Sequence, residues 1–336
     1  MAHKKELSKL FMMVSMLLIG VMIGTMVTPV LGQTTEQWCA DKHIRFFAGG
    51  DEGDAFASIV LRGAQQADED LGADVDYIFS GWNSERMIQQ LREAIAAQPD
   101  GIAMMGHPSD AAIMPLAEEA AAAGIRMMYQ NVDVPQVRAA FGGGYVGANL
   151  GPQGQALGEE AVRQFGLAAG DTAIVFGPFN DSNRSLRESA TADALEAAGL
   201  NVVRLVGTPE MATDPNLALP ILTAAVVDNP DVKLVAYPGG QMLGNAQAYM
   251  EALDKGPGEI LNIGFDTSPL IMQAFEGNWV QLTSDQQPFL QGYLPILSLC
   301  LSDVYGFGPL TVDTGAGFVD SNNYQNVAEW ATAGIR

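Results

Sequence analysis

Polar and aromatic residues follow directly after several short apolar segments, and they are the residues of this sequence that could do chemistry. The first such stretch is GGDEGDAF at residues 49–56, which comes after the apolar run HIRFF and contains Asp54 and Phe56. Later stretches of the same kind are SGWNSER, GHPSD, QNVD, GPFNDSNRSLR, PGGQ, DTSP and DQQP. Because carboxylates and amides hydrogen-bond to hydroxyl groups and rings pack on C–H faces, these stretches predict a site for a polyhydroxyl ligand.

The residue patterns of several enzyme and cofactor classes do not occur in the sequence. There is no HExxH or CxxC motif, no GxSxG elbow and no P-loop, and GGGYVG at 142–147 lacks the spacing of a dinucleotide loop. The three histidines, His3, His43 and His107, are far apart, so no metal-ligand set is indicated. We therefore expect no cofactor, no metal and no chemical step. A secreted enzyme acting on a carbohydrate is the alternative, because the acids of GGDEGDAF could serve acid–base catalysis.

The size and charge of the chain limit its organisation and its partners. It has 336 residues, of which 48% are hydrophobic, so it can form one large or two medium domains. The formal net charge of −22 would repel phosphate groups, and nucleic acid is therefore not expected as a partner.

The N-terminal segment has the features of an export signal. MAHKKELSKL is basic, FMMVSMLLIGVMIGTMV carries no charge, and TPVLG offers a cleavage site. We expect residues 1–32 to be a signal peptide that is removed, which places the protein in the periplasm or otherwise outside the cytoplasm. A retained membrane anchor is the alternative, because the apolar run is long.

An oxidising compartment would permit a disulfide between Cys39 and Cys300, although two unpaired buried thiols are the simpler expectation.

Short β-rich runs alternate with Ala-rich helical runs after residue 40, and they provide the elements that position the polar stretches. The predicted strands lie at 43–47, 74–79, 101–105, 125–129, 172–176, 201–206, 232–237, 260–265 and 280–284. Such alternation predicts βαβ units and parallel sheets covered on both faces. The strands form two groups that part near FGGGYVGANLGPQG, which predicts two α/β lobes with a cleft between them. Ligands of parallel sheets bind beyond the C-terminal ends of the strands, where the polar stretches lie.

Several motifs in this order give the chain a family resemblance. They are GDAF followed by RGAQQAD, PDGI at 99–102, AAGI at 122–125, YVGAN at 145–149, GFD at 264–266 and SDQQPFLQG at 284–292. With them the chain resembles the periplasmic sugar-binding proteins of ABC transporters, of the ribose-binding type (type I periplasmic binding proteins), from about residue 43 to the end.

The resemblance implies an architecture and a function. It implies two Rossmann-like lobes with parallel sheets, joined by three hinge crossings and closing over a monosaccharide or related polyol. The expected lobes are 41–148 with 287–315, and 149–286 with 316–336. The expected partners are the sugar and a membrane ABC permease, and the protein is expected to be a monomer. A binding protein for a non-sugar ligand that serves a sensor is an alternative.

The resemblance also implies site residues, which are here matched position by position. It places Asp54 and Phe56 in the first-strand loop, Gln130 or Asn131 after the fourth strand, and Arg187, Asp266 and Gln286 in the later motifs. Asn180, Trp82 and His107 are added as further cleft candidates because of their positions after strands. Two positions depart from the family pattern: Pro238 stands at a usual Asn, and no aromatic residue lies near Thr213. These departures reduce the two-sided aromatic clamp and argue against a ribose-like ligand, though not against sugar or polyol binding in general.

Overall fold

The computed structural model describes residues 37–182, 184–315 and 317–336, so the signal peptide predicted at 1–32 lies outside the described residues. The strands of this part are β1 (His43–Gly49), β2 (Asp74–Phe79), β3 (Gly101–Met105), β4 (Arg126–Gln130), β5 (Gly144–Gly147), β6 (Thr172–Gly177), β7 (Asn201–Val206), β8 (Val232–Ala236), β9 (Leu261–Phe265), β10 (Leu282–Asp285), β11 (Thr311–Asp313) and β12 (Gly317–Asp320).

Helices separate most of these strands, as the predicted βαβ pattern requires. They are α1 (Ala55–Leu71), α2 (Ser84–Ala96), α3 (Asp110–Ala122), α4 (Pro135–Phe141), α5 (Leu150–Phe165), α6 (Leu186–Ala197), α7 (Pro209–Thr213), α8 (Leu219–Asp228), α9 (Gly240–Gly244), α10 (Ala246–Ala252), α11 (Pro269–Glu276), α12 (Pro288–Tyr305) and α13 (Gln325–Thr332), with a 3₁₀ turn at Pro215–Ala218. In the described residues no helix is long and apolar enough to cross a bilayer.

The strands form two six-stranded sheets with the same internal order. The first is β2-β1-β3-β4-β5-β11, and all of its neighbouring pairs are parallel. The second is β7-β6-β8-β9-β10-β12, which is parallel except that β12 runs antiparallel to β10. The predicted two-lobed α/β fold is confirmed, while the exact limits predicted for the lobes remain a prediction. In each sheet the chain order reverses beside the first strand of the lobe, which is where such sheets bind ligands.

The central strands of each sheet are buried on both faces, and this explains the short apolar strands. Phe46 of β1 points into one core of the first lobe, and the next residue, Phe47, points into the core on the other face. In β6, Val175 and Phe176 divide in the same way between the two cores of the second lobe. Successive side chains of a strand point to opposite faces, so a strand buried on both faces has to be apolar throughout.

Every predicted strand overlaps an observed one, but three observed strands were not predicted. Gly144–Gly147, which was expected to part the two lobes, is the strand β5 of the first sheet, and the chain leaves that sheet only after it. β11 and β12 have three and four residues, and most of their side chains are not buried. Such short elements show no hydrophobic period in the sequence, because pairing with a neighbouring strand is what holds them.

Close packing of α12 on α1 makes the late helix part of the first lobe. A Cβ atom on Gly63 of α1 would lie 2.0 Å from the carbonyl oxygen of Phe289, and one on Gly292 would lie 1.9 Å from that of Val60. Only glycine allows the two backbones this approach.

A disulfide joins the same helix to the start of the described chain. Cys39 and Cys300 are bonded, with their Cα atoms 5.7 Å apart. The expectation of two unpaired thiols is therefore wrong. The pairing could not be read from the sequence because the two residues are 261 positions apart and meet only through the packing of α12.

Candidate functional site

A cleft of about 380 Å³ lies between the lobes, at the C-terminal edges of both sheets. Loops that follow β1, β2, β3, β4, β6, β7, β8, β9 and β10 contribute to its lining. α9 of the second lobe contacts α1 of the first across it. The structure brings all of the sequence-predicted site residues to this cleft: Asp54, Phe56, Trp82, His107, Asn131, Asn180, Arg187, Asp266 and Gln286.

Three rings from the first lobe form one wall of the cleft. Trp82, in the loop after β2, lies with its ring centre 5.9 Å from that of Phe56 and 5.2 Å from that of His107. Trp82 has a left-handed backbone conformation, with φ of 56°, and its side chain is buried. The wall offers an apolar face on which the C–H groups of a ligand can pack.

Asp54 holds this aromatic wall in place. One of its carboxylate oxygens accepts from the backbone N–H of Ala57 at 2.8 Å and caps α1, and the other accepts from the indole Nε1–H of Trp82 at 3.0 Å. Burial raises the pKa of this carboxyl, and the two hydrogen bonds oppose the shift. Each carboxylate oxygen of Asp54 therefore already accepts a hydrogen bond from within the protein.

A directed chain of hydrogen bonds crosses the floor of the cleft from one lobe to the other. His107 Nε2 lies 2.9 Å from Asn131 Oδ1, and Asn131 Nδ2 donates to Gln286 Oε1 at 3.3 Å. Gln286 Nε2 in turn donates to Asp266 Oδ1 at 2.5 Å. Since Asn131 uses its amide N–H as a donor, its oxygen accepts, and His107 must carry the proton on Nε2. Burial lowers the pKa of His107, and Arg184 lowers it further, so the ring is neutral.

Asp266 follows β9 directly and is buried in the cleft. Its φ of 75° turns the chain out of the strand, and Thr283 Oγ1 donates to its carbonyl oxygen at 2.7 Å. The second carboxylate oxygen accepts from the backbone N–H of Gly240 at 2.8 Å. Burial raises the pKa of Asp266, and the nearby Arg187 guanidinium opposes this.

Arg187, on the first turn of α6, is fixed by three contacts. Its Nη2 donates to the carbonyl oxygen of Pro238 at 2.6 Å, and its Nε donates to Glu188 at 3.2 Å. Its guanidinium carbon lies 4.0 Å from the centre of the Phe265 ring. A planar guanidinium held in this way presents its remaining N–H groups in one orientation. Pro238, at the position where the family pattern has Asn, contributes through its carbonyl group.

Sequence reasoning missed three charged residues of the cleft, Asp181, Arg184 and Glu188. Arg184 lies in the loop after β6, and its Nη1 reaches across the cleft to the backbone oxygen of Trp82 at 3.4 Å. Glu188 is 3% exposed, and burial raises its pKa. Within the described residues its Oε2 has no hydrogen-bond partner. The stretch GPFNDSNRSLR contained Arg184 and was marked as a post-strand loop, so its position was an available signal.

Three other residues in or beside the post-strand stretches, Asp51, Gln130 and Phe179, do not line the cleft. Asp51 is exposed and lies 4.0 Å from Arg86. Gln130 donates to the backbone oxygen of Phe47 at 3.0 Å inside the first lobe. Phe179 is partly buried against a core of the second lobe, with the Arg204 guanidinium 5.6 Å from its ring centre.

The apolar residues with which the second lobe lines its side of the cleft are not aromatic, and they include Val206, Ala212 and Met242. This agrees with the expected reduction of one aromatic wall.

In the parts of the chain that the structure describes, no group of three or more His, Cys, Asp or Glu side chains could hold a metal ion.

The two sheets and the cleft between them define a class of protein, the two-lobed α/β proteins that bind a small molecule between lobes. The sequence matches the periplasmic binding protein domain over residues 46–300. The chain therefore belongs to the periplasmic binding protein family, and membership of this family implies an extracytoplasmic location.

Relatives and solved structures agree with this assignment. The xylose/arabinose-binding protein of Sulfolobus acidocaldarius is 26% identical over 270 residues, which cover 75% of this chain but only 65% of that protein. The structure of a carbohydrate transporter from Acidothermus cellulolyticus in complex with myo-inositol has a TM-score of 0.76 and 23% identity, covering 88% of this chain and 99% of that one. A solute-binding protein from Agrobacterium radiobacter in complex with D-arabinose has a TM-score of 0.74 and 22% identity, with the same coverage.

Proposed function

We propose that this chain captures a neutral sugar or polyol in the cleft and delivers it unchanged to a membrane ABC permease. The observation that carries the proposal is the pairing of an aromatic wall, formed by Phe56, Trp82 and His107, with buried carboxylate, amide and guanidinium groups in one cleft. A sugar ring has apolar C–H faces and a rim of hydroxyl groups, which matches this combination.

The charges of the cleft favour a neutral ligand. Two arginines line it, Arg184 and Arg187, and each has acids beside it. Arg187 is paired with Glu188, and Asp181 and Glu188 both act on Arg184. A phosphate or carboxylate ligand would therefore meet arginines whose charge is already compensated, with Asp54 and Asp266 close by. Hydroxyl groups can both donate to the carboxylates and accept from the guanidinium groups.

The size of the cleft and the ligands of similar proteins support a small ring. Its volume of about 380 Å³ lies at the lower end of the range for ligand pockets, about 300–1,000 Å³. The similar proteins are described as binding xylose and arabinose, myo-inositol, and D-arabinose, all of which are neutral and polyhydroxylated. We propose a pentose or a cyclitol as the ligand class.

Closure of the lobes would be the mechanism of capture. The first lobe contributes Asp54, Phe56 and Trp82, and the second contributes Arg187 and Asp266, so a ligand between them makes its full set of contacts only when the lobes are closed. A ligand stabilises a conformation by its differential affinity for it. The closed, monomeric complex would then dock on the permease, and opening of the cleft there would release the ligand.

Isothermal titration calorimetry with D-xylose, L-arabinose, D-arabinose, D-ribose and myo-inositol tests this proposal. We expect at least one of these ligands to bind, and Arg187→Ala and Asp266→Ala to abolish its binding while circular dichroism shows a folded protein. Mass spectrometry of the recovered ligand should find it unchanged. Binding to none of the panel would refute the proposed ligand class, and an affinity equal to that of the wild type in both variants would refute the proposed site. A chemically altered ligand would favour the enzyme alternative.

A further inference from the structure

Gln291, which does not line the cleft, lies at the junction of the segments that join the two lobes. The chain passes between the two sheets after β5, after β10 and after β11. Gln291 is on the first turn of α12 and is 0% exposed. Its side chain contacts two of the three segments directly, at Gln286 and Thr314, and it also contacts Asn131 of the first lobe.

Both ends of the Gln291 amide make these contacts. Its Nε2 donates to the backbone oxygen of Gln286 at 3.0 Å, and it lies 3.1 Å from Thr314 Oγ1 in the segment after β11. Its Oε1 accepts from Asn131 Nδ2 at 3.2 Å. Thr314 in turn donates its backbone N–H to the carbonyl oxygen of Gly147 at 3.0 Å, so all three connecting segments belong to one network.

Two of these partners form the cleft floor. Asn131 and Gln286 belong to the hydrogen-bond chain from His107 to Asp266, and each has amide atoms that could point either way. Gln291 holds both in one orientation, because its oxygen requires the N–H side of Asn131 and its nitrogen lies within 3.3 Å of Gln286 Oε1. The amides of Gln291, Asn131 and Gln286 each have hydrogen-bond partners at both ends, and a buried amide network paired in this way specifies a single arrangement.

We infer that Gln291 is a positioning residue that orients Asn131 and Gln286 toward the ligand and couples that orientation to closure of the lobes. The first half rests on the proposed sugar-binding function, whereas the second concerns the hinge alone. The loss of Gln291 leaves two buried groups unpaired in the connecting segments, the backbone oxygen of Gln286 and the Thr314 hydroxyl. The closed arrangement then loses hydrogen bonds that an open and hydrated hinge can replace with water.

Gln291→Met keeps the length and flexibility of the side chain and removes its donors and its amide acceptor. Ser298→Ala is the matched control, because Ser298 is buried on the same helix and its Oγ accepts from the backbone N–H of Leu310 at 2.9 Å, away from the cleft floor. Both variants should lower the melting temperature. Only Gln291→Met should also weaken binding of D-arabinose, by about tenfold, as expected for the loss of one or two hydrogen bonds.

Spin labels at the exposed positions Glu52 and Glu210, one in each lobe, measure lobe opening without any ligand. We expect Gln291→Met to shift the distance distribution toward longer distances and Ser298→Ala to leave it unchanged. If Gln291→Met does not fold, Thr314→Val removes one bond of the same network and should shift the distribution in the same direction. An unchanged distance distribution in the folded variants overturns the inference, whether or not the wild type binds D-arabinose. Failure of the wild type to bind D-arabinose would count against the proposed ligand class instead.

Discussion

Substitution of Gly154 by alanine would test whether the position of Arg187 determines ligand affinity. Gly154 lies on α5, packed against α6, and an added Cβ atom would be 1.9 Å from the carbonyl oxygen of Arg187. Ordinary van der Waals contact begins at about 3.4 Å, so the two helix backbones would have to separate by about 1.5 Å. Arg187 is on the first turn of α6 and would move with it.

The expected loss follows from the contacts that hold Arg187. A shift of about 1.5 Å would stretch the 2.6 Å hydrogen bond to Pro238 beyond bonding distance and withdraw the guanidinium from the Phe265 ring. A hydrogen bond made by a charged group is worth about 1.5–3 kcal/mol. If one such bond to the ligand is lost with the orientation of Arg187, affinity should fall by about 10- to 150-fold.

Calorimetry with whichever sugar of the panel binds the wild type most tightly provides the assay. Gly151→Ala is the control, since it makes the same chemical change on the same helix and its Cβ atom would meet nothing within 4 Å. That control should bind normally, and its helix should gain up to about 1 kcal/mol from the better propensity of alanine. If Gly154→Ala folds and binds as tightly as Gly151→Ala, then Arg187 does not contribute in the way the structure indicates.

Three further predictions concern the aromatic wall, the neutral histidine and the disulfide. Asp54→Asn leaves an amide N–H group facing either the backbone N–H of Ala57 or the indole N–H of Trp82, so the free energy of unfolding should fall by about 1–3 kcal/mol and the fluorescence of Trp82 should change. Asp51→Asn in the same loop should alter neither. The unfolded chain binds a proton at His107 below about pH 6.5, whereas the folded protein does not, because burial lowers the pKa of His107. The free energy of unfolding that this residue contributes is therefore present above that pH and is lost as the pH falls, by up to about 1.4 kcal/mol per pH unit. Urea unfolding from pH 8 to pH 5 should show that His107→Gln reduces this dependence, and an unchanged slope would contradict the neutral ring. Because the bond between Cys39 and Cys300 closes a loop of 261 residues, replacing both cysteines by serine should lower the free energy of unfolding by up to about 5 kcal/mol in calorimetry. Reductant should destabilise the wild type but not this double variant, and an equal response of the two proteins would argue against the bond.

The raised pKa values of buried carboxyls act in the opposite direction to His107. Burial raises the pKa of Asp54, Glu188 and Asp266, so the folded protein holds these protons at a higher pH than the unfolded chain does. Their contribution to stability therefore increases as the pH falls through the raised values toward the ordinary carboxyl range. Comparison of His107→Gln with the wild type at each pH cancels this common background.

Much of the cleft was predictable because its residues share a simple position in the sequence. Asp54, His107, Asn131 and Asp266 each follow an apolar strand within a few residues, and parallel strands place their C-terminal ends at one edge of the sheet. The pattern that predicts the strand therefore also predicts where the side chain lies. Arg184 was missed although it shares such a loop, because an arginine in a polar stretch is usually a solvated surface residue.

The alternation of apolar strands with Ala-rich helices is a local property, and it was enough to establish the two α/β lobes, the cleft between them and the loops that line it. The indole bond of Trp82 to Asp54, the junction at Gln291, the disulfide and the strands β5, β11 and β12 depend on residues far apart in the chain. Hydrophobic periodicity indicates which side of a helix or strand is buried. Hydrogen bonds, strand pairs and disulfides between distant segments form only when the packing of the lobes brings their atoms close together, to within about 3 Å for a hydrogen bond.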